Sequence, residues 1–263
     1  MQPNAFQSDQ SEADAVMLFT YSVVSGFAGA PVPGASSPSA TWRAVHVDEA
    51  LLVVDKDAGL LTVPGVGPSK ADCLLSRVRA AGFPEVSHAA HRLDRDTSGL
   101  IALGRTRDAH RALCSLFQDR RVAKRYEALV LGWPEVDQGE VDRPIGKVRV
   151  PDGPAQMCVV GGEGTAAAEQ VRRSLTRWRV LERAQRDDGI KYSRLALMPV
   201  TGRAHQLRLH MECVGHPLLG DELHGAGSGA AKLAPRLCLH AAALRFEHPD
   251  GSGLVTLESP APF

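Results

Sequence analysis

His91-Arg92-Leu93-Asp94-Arg95-Asp96-Thr97-Ser98-Gly99-Leu100 sets an imidazole, two guanidiniums and two carboxylates directly before the apolar run Leu100-Ile101-Ala102-Leu103. A short continuous apolar run bounded by turn residues reads as a buried strand. The charged decad therefore occupies the turn that feeds a core strand. On residue type alone, Asp94 is either a solvated loop charge or a local cap, or a carboxylate held among cations for chemistry.

Upstream of the decad, two apolar runs flank Asp48-Glu49-Ala50 between Val45 and Lys56, which predicts a hairpin. Ser69 to Asp72 has capping-box spacing ahead of Leu74, Leu75 and Val78, which recur at helical intervals before Gly82. Downstream, Thr106 is the expected N-cap of a helix with Ala109, Ala112, Leu113, Leu116 and Phe117 on its apolar face. A strand over residues 124–131 follows, with Tyr126, Ala128 and Val130 on one side. Pro151 to Thr165 reads as a long loop, and Thr176–Glu182 with Tyr192–Met198 as a hairpin around Asp187-Asp188-Gly189. After Gly202 a helix is expected, with Ala204, Leu207, Met211 and Val214 as its core stripe, His205, Arg208 and Glu212 beside them, and Gly215 ending it.

Residues 1–42 are rich in Ala, Ser, Pro and Gly, and are expected to be a low-complexity, mobile tail before one domain over 43–263. Strands and helices alternate irregularly, without repeats or a βαβ rhythm, so the fold class is α+β with a mixed or largely antiparallel sheet.

Thirty basic residues balance thirty acidic ones across the 263 positions, yet the charge is unevenly placed. Residues 91–130 hold nine Lys/Arg against five Asp/Glu, and residues 169–210 hold ten against four. That is the distribution of a chain that meets a polyanion through one face. No apolar run reaches membrane-spanning length and the start lacks a secretion signal, so a cytoplasmic location with no membrane partner is expected. Five widely spaced cysteines without a C-x-x-C pair read as thiols, neither a disulfide framework nor a metal site.

HRLDRDTSGL resembles the H-R-L-D-x-x-T-S-G-L signature of the RluA-type RNA pseudouridine synthases. Residues 124–132, KRYEALVLG, are similar to that family's K-x-Y-x-A-x-V-x-G strand, and residues 202–210, GRAHQLRLH, to its G-R-x-H-Q-L-R-x-H block. Gly215-His216-Pro217-Leu218-Leu219-Gly220-Asp221 and Leu239-His240-Ala241 resemble later family motifs. Ordered motifs over residues 45–263 are far more specific than one short pattern. Asp57 stands where the family's K-P-x-G-L turn carries Pro, and His224 where relatives often carry Tyr.

The resemblance implies a long curved mixed sheet flanked by helices, with the active-site cleft across its middle. It implies an isomerase that needs no cofactor and no metal, with Asp94 as catalytic residue, Arg208 as its basic partner and Tyr126 stacking on the target base. His91, Arg92, Thr97, Arg203, His205 and Gln206 would line the substrate site, with Arg92 holding or replacing the everted nucleotide. The partner is structured RNA, a 23S rRNA stem-loop, a tRNA anticodon arm or both, taken by a monomer without the S4 module that many relatives carry. Two rivals belong to other classes: a catalytically silent RNA-binding module, and a metal-dependent hydrolase built from His88, His91, His205 and His210. Against the second, His88-x-x-His91 lacks a zincin's Glu, and His205 and His210 fall on different helical faces.

Overall fold

The computed structural model describes residues 41–149, 155–161 and 168–263. The two apolar runs around Asp48 form β1 (Trp42–Val47) and β2 (Leu51–Lys56), an antiparallel hairpin. Asp48 Oδ1 closes its turn by accepting the N–H groups of Ala50 and Leu51 at 2.8 and 2.7 Å. Then come α1 (Leu74–Ala80), β3 (Ser98–Gly104), α2 (Arg107–Gln118) and β4 (Ala123–Leu131). β5 (Gln138–Asp142), β6 (Ile145–Val148), β7 (Gln156–Val159) and β8 (Glu169–Arg172) lead to the hairpin of β9 (Leu175–Gln185) and β10 (Lys191–Pro199). α3 (Gln206–Cys213), β11 (Leu239–Glu247) and β12 (Leu254–Glu258) complete the described elements.

The large sheet runs β1-β2-β3-β11-β4-β10-β9-β5, with β12 on β11, and β6 lies between β7 and β8 in a small second sheet. Every position of β3 is buried because helices cover both faces: Ile101 and Leu103 pack with Leu74, Leu75 and Val78 of α1, while Leu100 and Ala102 pack with Leu113 and Leu116 of α2. Each fully buried Leu or Ile of this set contributes about 1.5–3 kcal/mol. β3 and β11 are parallel, pairing Ser98 with His240 and Gly99 with Ala241. A side chain at Gly99, whose φ is +114°, would put its Cβ 2.4 Å from the Ala241 carbonyl oxygen, so the turn into β3 admits glycine alone. On the α1 face, Leu207 and Met211 of α3 join a further core with Ala128, Val130, Leu195 and Leu197, and Tyr126 packs against both cores.

Several local expectations shift. The cap of α1 is Cys73, whose Sγ accepts from Ser76 N–H while Ser76 Oγ accepts from Cys73 N–H. Ser69 lies in a 3-10 turn, and Asp72 spends both carboxylate oxygens on Arg77 at 2.8 and 2.7 Å. α3 starts at Gln206, because His205 is left-handed at φ +56°; Ala204 precedes the helix and is exposed, and Val214 is also exposed. Gly215 ends α3 at φ +82°, as expected. Within the expected 151–165 loop, Gln156–Val159 is a strand, and residues 151–154 and 162–165 lie outside the described residues. The tail lies outside them through residue 40, while Trp42 opens β1 and is buried. Among the described residues no helix is long and apolar enough to cross a membrane.

Candidate active site

The loop carrying Asp94 is fastened from behind. Lys56, fully buried, donates from Nζ to the carbonyls of Asp57 and Leu60 at 2.8 Å and of Arg95 at 3.0 Å. Thr62 Oγ1 donates to the Leu93 carbonyl at 2.8 Å and accepts Leu93 N–H, and Gly59 N–H reaches the Arg95 carbonyl. Burial brings the Lys56 ammonium down to about 8, opposed by the carboxylates of Asp96, Asp94 and Asp57. On the far side Ser98 Oγ contacts His240 Nδ1 and accepts from Arg236, both at 2.9 Å. Backbone held on both flanks leaves Asp94 a fixed direction, the first requirement of a reacting group.

Asp94 projects into a cleft of about 860 Å³ with its side chain 31% exposed. Arg208 Nη1 lies 3.9 Å from Asp94 Oδ2, so the expected pair is present but long. The tight partner of Arg208 is Asp221: Nε to Oδ2 is 2.8 Å and Nη2 to Oδ1 is 2.5 Å, a bidentate fork with both residues buried. Burial works to raise the Asp221 carboxyl, but the Arg208 bonds and charge and the His224 N–H more than reverse it, so it stays below the usual carboxylate range. Asp221 thus aims Arg208 at Asp94, and it follows Gly220, where a Cβ would fall 1.8 Å from the Arg236 carbonyl oxygen.

Tyr126 lines the cleft at the centre of the sheet, between β11 and β10. Burial and then the Asp94 charge push its phenol above the ordinary range, so the hydroxyl is neutral. Six cations line the cleft, Arg92, Arg95, Arg120, Lys124, Arg203 and Arg208, against one carboxylate, Asp94. Arg92 and Arg203 are exposed there, while Thr97 is buried at 2%. Burial and then Arg120 bring Lys124 down to about 8.

His91 has a scaffold task. Its Nε2 accepts Ala102 N–H at 2.9 Å and its ring stacks on Phe117 at 4.1 Å. Burial and then the Lys124 ammonium bring it down to about 3, so the folded protein holds it neutral. The unfolded chain takes up a proton near pH 6.5 that the folded one refuses until about 3, so stability is expected to fall as pH drops through that window. Melting temperatures from pH 7.5 to 4 check this, and His91→Gln should flatten part of the decline.

Gln206, buried, has no free amide group for a substrate. Its Oε1 accepts from Thr201 Oγ1 and Arg203 N–H, and its Nε2 donates to the Leu175 carbonyl and Thr176 Oγ1. His205 Nδ1 and His224 Nε2 are 2.9 Å apart, beside Asp221. Burial lowers both rings, with Arg208 adding to the effect, and His224 comes down to about 4. Of the histidines weighed for a hydrolase metal, His210 is engaged by Thr176 Oγ1 and the Arg143 carbonyl, and His91 by Ala102 N–H. They do not converge on one point among the described residues. Lys56 and Asp221 fall in stretches that resemble family motifs and Thr62 in none, but no sequence pattern says what any of the three bonds in the site. The contacts that recruit them join residues 31 and 39 positions apart, or rest on which carboxylate wins a guanidinium, and neither has a local pattern.

A family model described as RNA pseudouridylate synthase matches residues 50–213. The dual-specificity RNA pseudouridine synthase RluA of Pasteurella multocida is 41% identical over 220 residues, covering 83% of this chain and 93% of its own length. The protein of that name from Escherichia coli K12 is 36% identical over 228 residues, covering 86% and 96%. The solved structure of human RNA pseudouridylate synthase domain containing 1 superposes with a TM-score of 0.71 at 30% identity, over 87% of each chain.

Proposed function

The chain belongs to the RNA pseudouridylate synthase family, and from that membership we propose that Asp94 is the catalytic group of its reaction. It is an RNA pseudouridine synthase, an isomerase that breaks the bond between N1 and ribose C1′, turns the base and rejoins it through C5, with the C5 proton released and a proton taken up at N1. The observation that carries the proposal is a lone cleft carboxylate among six cations, on a loop fastened by Lys56 and Thr62. Asp94 acts on the nucleoside, and Arg208, aimed by Asp221, supports its charge.

Uridine reaches such a cleft only when everted from its helix. Arg92 and Arg203 take its flanking phosphates, a fit to their exposed forks. Thr97 and His205 shape the pocket, while His91 and Gln206 act through the scaffold. The working unit is the catalytic domain of residues 43–263, acting as a monomer. The relatives are named dual-specificity enzymes, and we extend that to this chain: a 23S rRNA stem-loop and a tRNA anticodon arm, met in the cytoplasm. Mapping pseudouridines in total RNA with and without the protein tests the targets. Tritium release from 5-tritiated uridine RNA separates turnover from silent binding.

Tyr126 stacks on the everted base. Stacking contributes about 1–3 kcal/mol per base and does not need the hydroxyl, so Tyr126→Phe is expected to keep RNA affinity and Tyr126→Ala to lose it by about that amount. Melting temperature, affinity and single-turnover rate measured together check this. An Ala variant with lower stability but a normal rate in its folded fraction would remove Tyr126 from the site.

A further inference from the structure

We propose that His46, Asp48 and His248 bind a divalent transition-metal ion of the zinc class, which clips the β1–β2 turn to the turn between β11 and β12. None of the three lines the RNA cleft. Asp48 is oriented by the backbone: its Oδ1 accepts Ala50 and Leu51 N–H, and its Oδ2 then lies 2.5 Å from His46 Nε2 and 3.0 Å from His248 Nε2. The three ligand atoms fall within 4.8 Å of one another. Zinc with nitrogen and oxygen ligands at about 2.0–2.1 Å spaces tetrahedral donors about 3.3 Å apart, so small side-chain rotations admit the ion.

His248 is placed as a ligand with a carboxylate behind it. The ring is buried, and each of its nitrogens faces a carboxylate, Nε2 toward Asp48 and Nδ1 toward Asp250. A neutral imidazole has one N–H. With its N–H on Nδ1 toward Asp250, the ring turns the Nε2 lone pair toward Asp48 Oδ2, 3.0 Å away, the tautomer that a metal ligand uses. A metal ion between those two atoms is bonded by both, and the Asp250–His248 contact becomes the carboxylate–histidine support that orients metal-bound imidazoles. The surrounding charge agrees: Asp48, Asp250 and Glu85 stand against Arg105, which bonds Glu85 and the Asp48 carbonyl. The side chains of His46 and Asp48 are each 35% exposed, so solvent reaches a fourth coordination position. Asp48 and His248 are 200 residues apart, so the bound ion closes most of the chain and stabilises the folded form by mass action.

The test uses the full chain, stripped with chelator and then given Zn²⁺, with Co²⁺ as the absorbing probe. Expected are one equivalent of zinc retained through gel filtration, a cobalt spectrum of a four-coordinate nitrogen and oxygen site, and a melting temperature about 5–10 °C higher at 100 times Kd. His46→Ala, at a half-exposed position that leaves the core intact, should lose all three. His88→Ala, a histidine outside the cluster, should keep all three. Retention of less than about 0.2 equivalents, or unchanged binding in His46→Ala, overturns the proposal. None of these readouts involves RNA, so the result stands apart from the assignment of Asp94.

Discussion

Asp94→Asn is expected to lower uridine isomerisation by at least about 1,000-fold, the scale on which removal of a reacting carboxylate is felt. The fold should hardly notice. The Asp94 side chain is 31% exposed, its approach to Arg208 is 3.9 Å, and its carbonyl bond from Thr97 N–H belongs to the backbone. Arg208 keeps Asp221 whatever stands at position 94. Stability is therefore expected to stay within about 0.5 kcal/mol of the parent, as for a partly exposed position outside the core. RNA affinity should persist, because Arg92, Arg95, Arg120, Lys124 and Arg203 still line the cleft. Single-turnover tritium release, RNA affinity and melting temperature are the three measurements. Turnover near the parent's in a preparation free of other synthases would end the assignment.

Much of this architecture is legible in the amino-acid sequence. The run Leu100-Ile101-Ala102-Leu103 is apolar at every position, and the strand that holds it, β3, is covered by helices on both faces. Thr106, with a polar oxygen at the right offset, caps α2 as expected, and Asp187-Asp188-Gly189 turns the β9–β10 hairpin. What stays hidden has physical causes. Cys73 is a weak acceptor, so a cap formed by its sulfur with Ser76 has no place among the usual capping residues. The α3 stripe reads as beginning at Ala204 because a helical period cannot register one left-handed residue, His205, that postpones the helix. β8 carries no alternation to betray it: all four of its residues are exposed. The motifs bring Asp94, Tyr126 and Arg208 to one cleft, but nothing in them says that the guanidinium closes on Asp221 and only approaches Asp94. Nor do His46, Asp48 and His248 stand out, since their meeting depends on two hairpin turns drawn together from opposite ends of the domain.

Arg208→Leu is expected to cost about 3–5 kcal/mol of stability and nearly all activity, and the two losses have different origins. Removing one member of a buried pair leaves the other charged and dry. Asp221 is 1% exposed, and without the fork it keeps the Leu223 and His224 N–H groups but no cation. For a chain of this size the cost corresponds to a melting temperature lower by about 6–20 °C. The sign of the pH dependence follows. In the parent, Asp221 titrates below the usual carboxylate range, so its stabilisation is present above the unfolded value and is lost as pH falls through the folded one. In the variant, burial is no longer reversed by Arg208 and raises the Asp221 carboxyl, so the penalty is fullest at neutral pH and fades as acid neutralises it. Parent and variant melting curves should therefore converge toward low pH. The double variant Arg208→Leu/Asp221→Leu separates the two losses, because replacing a buried ion pair by apolar side chains is often neutral. It should regain most of the stability while isomerisation stays lost, since Asp94 still lacks the guanidinium 3.9 Å away. A double variant that recovered turnover along with its melting temperature would mean that Arg208 serves packing alone.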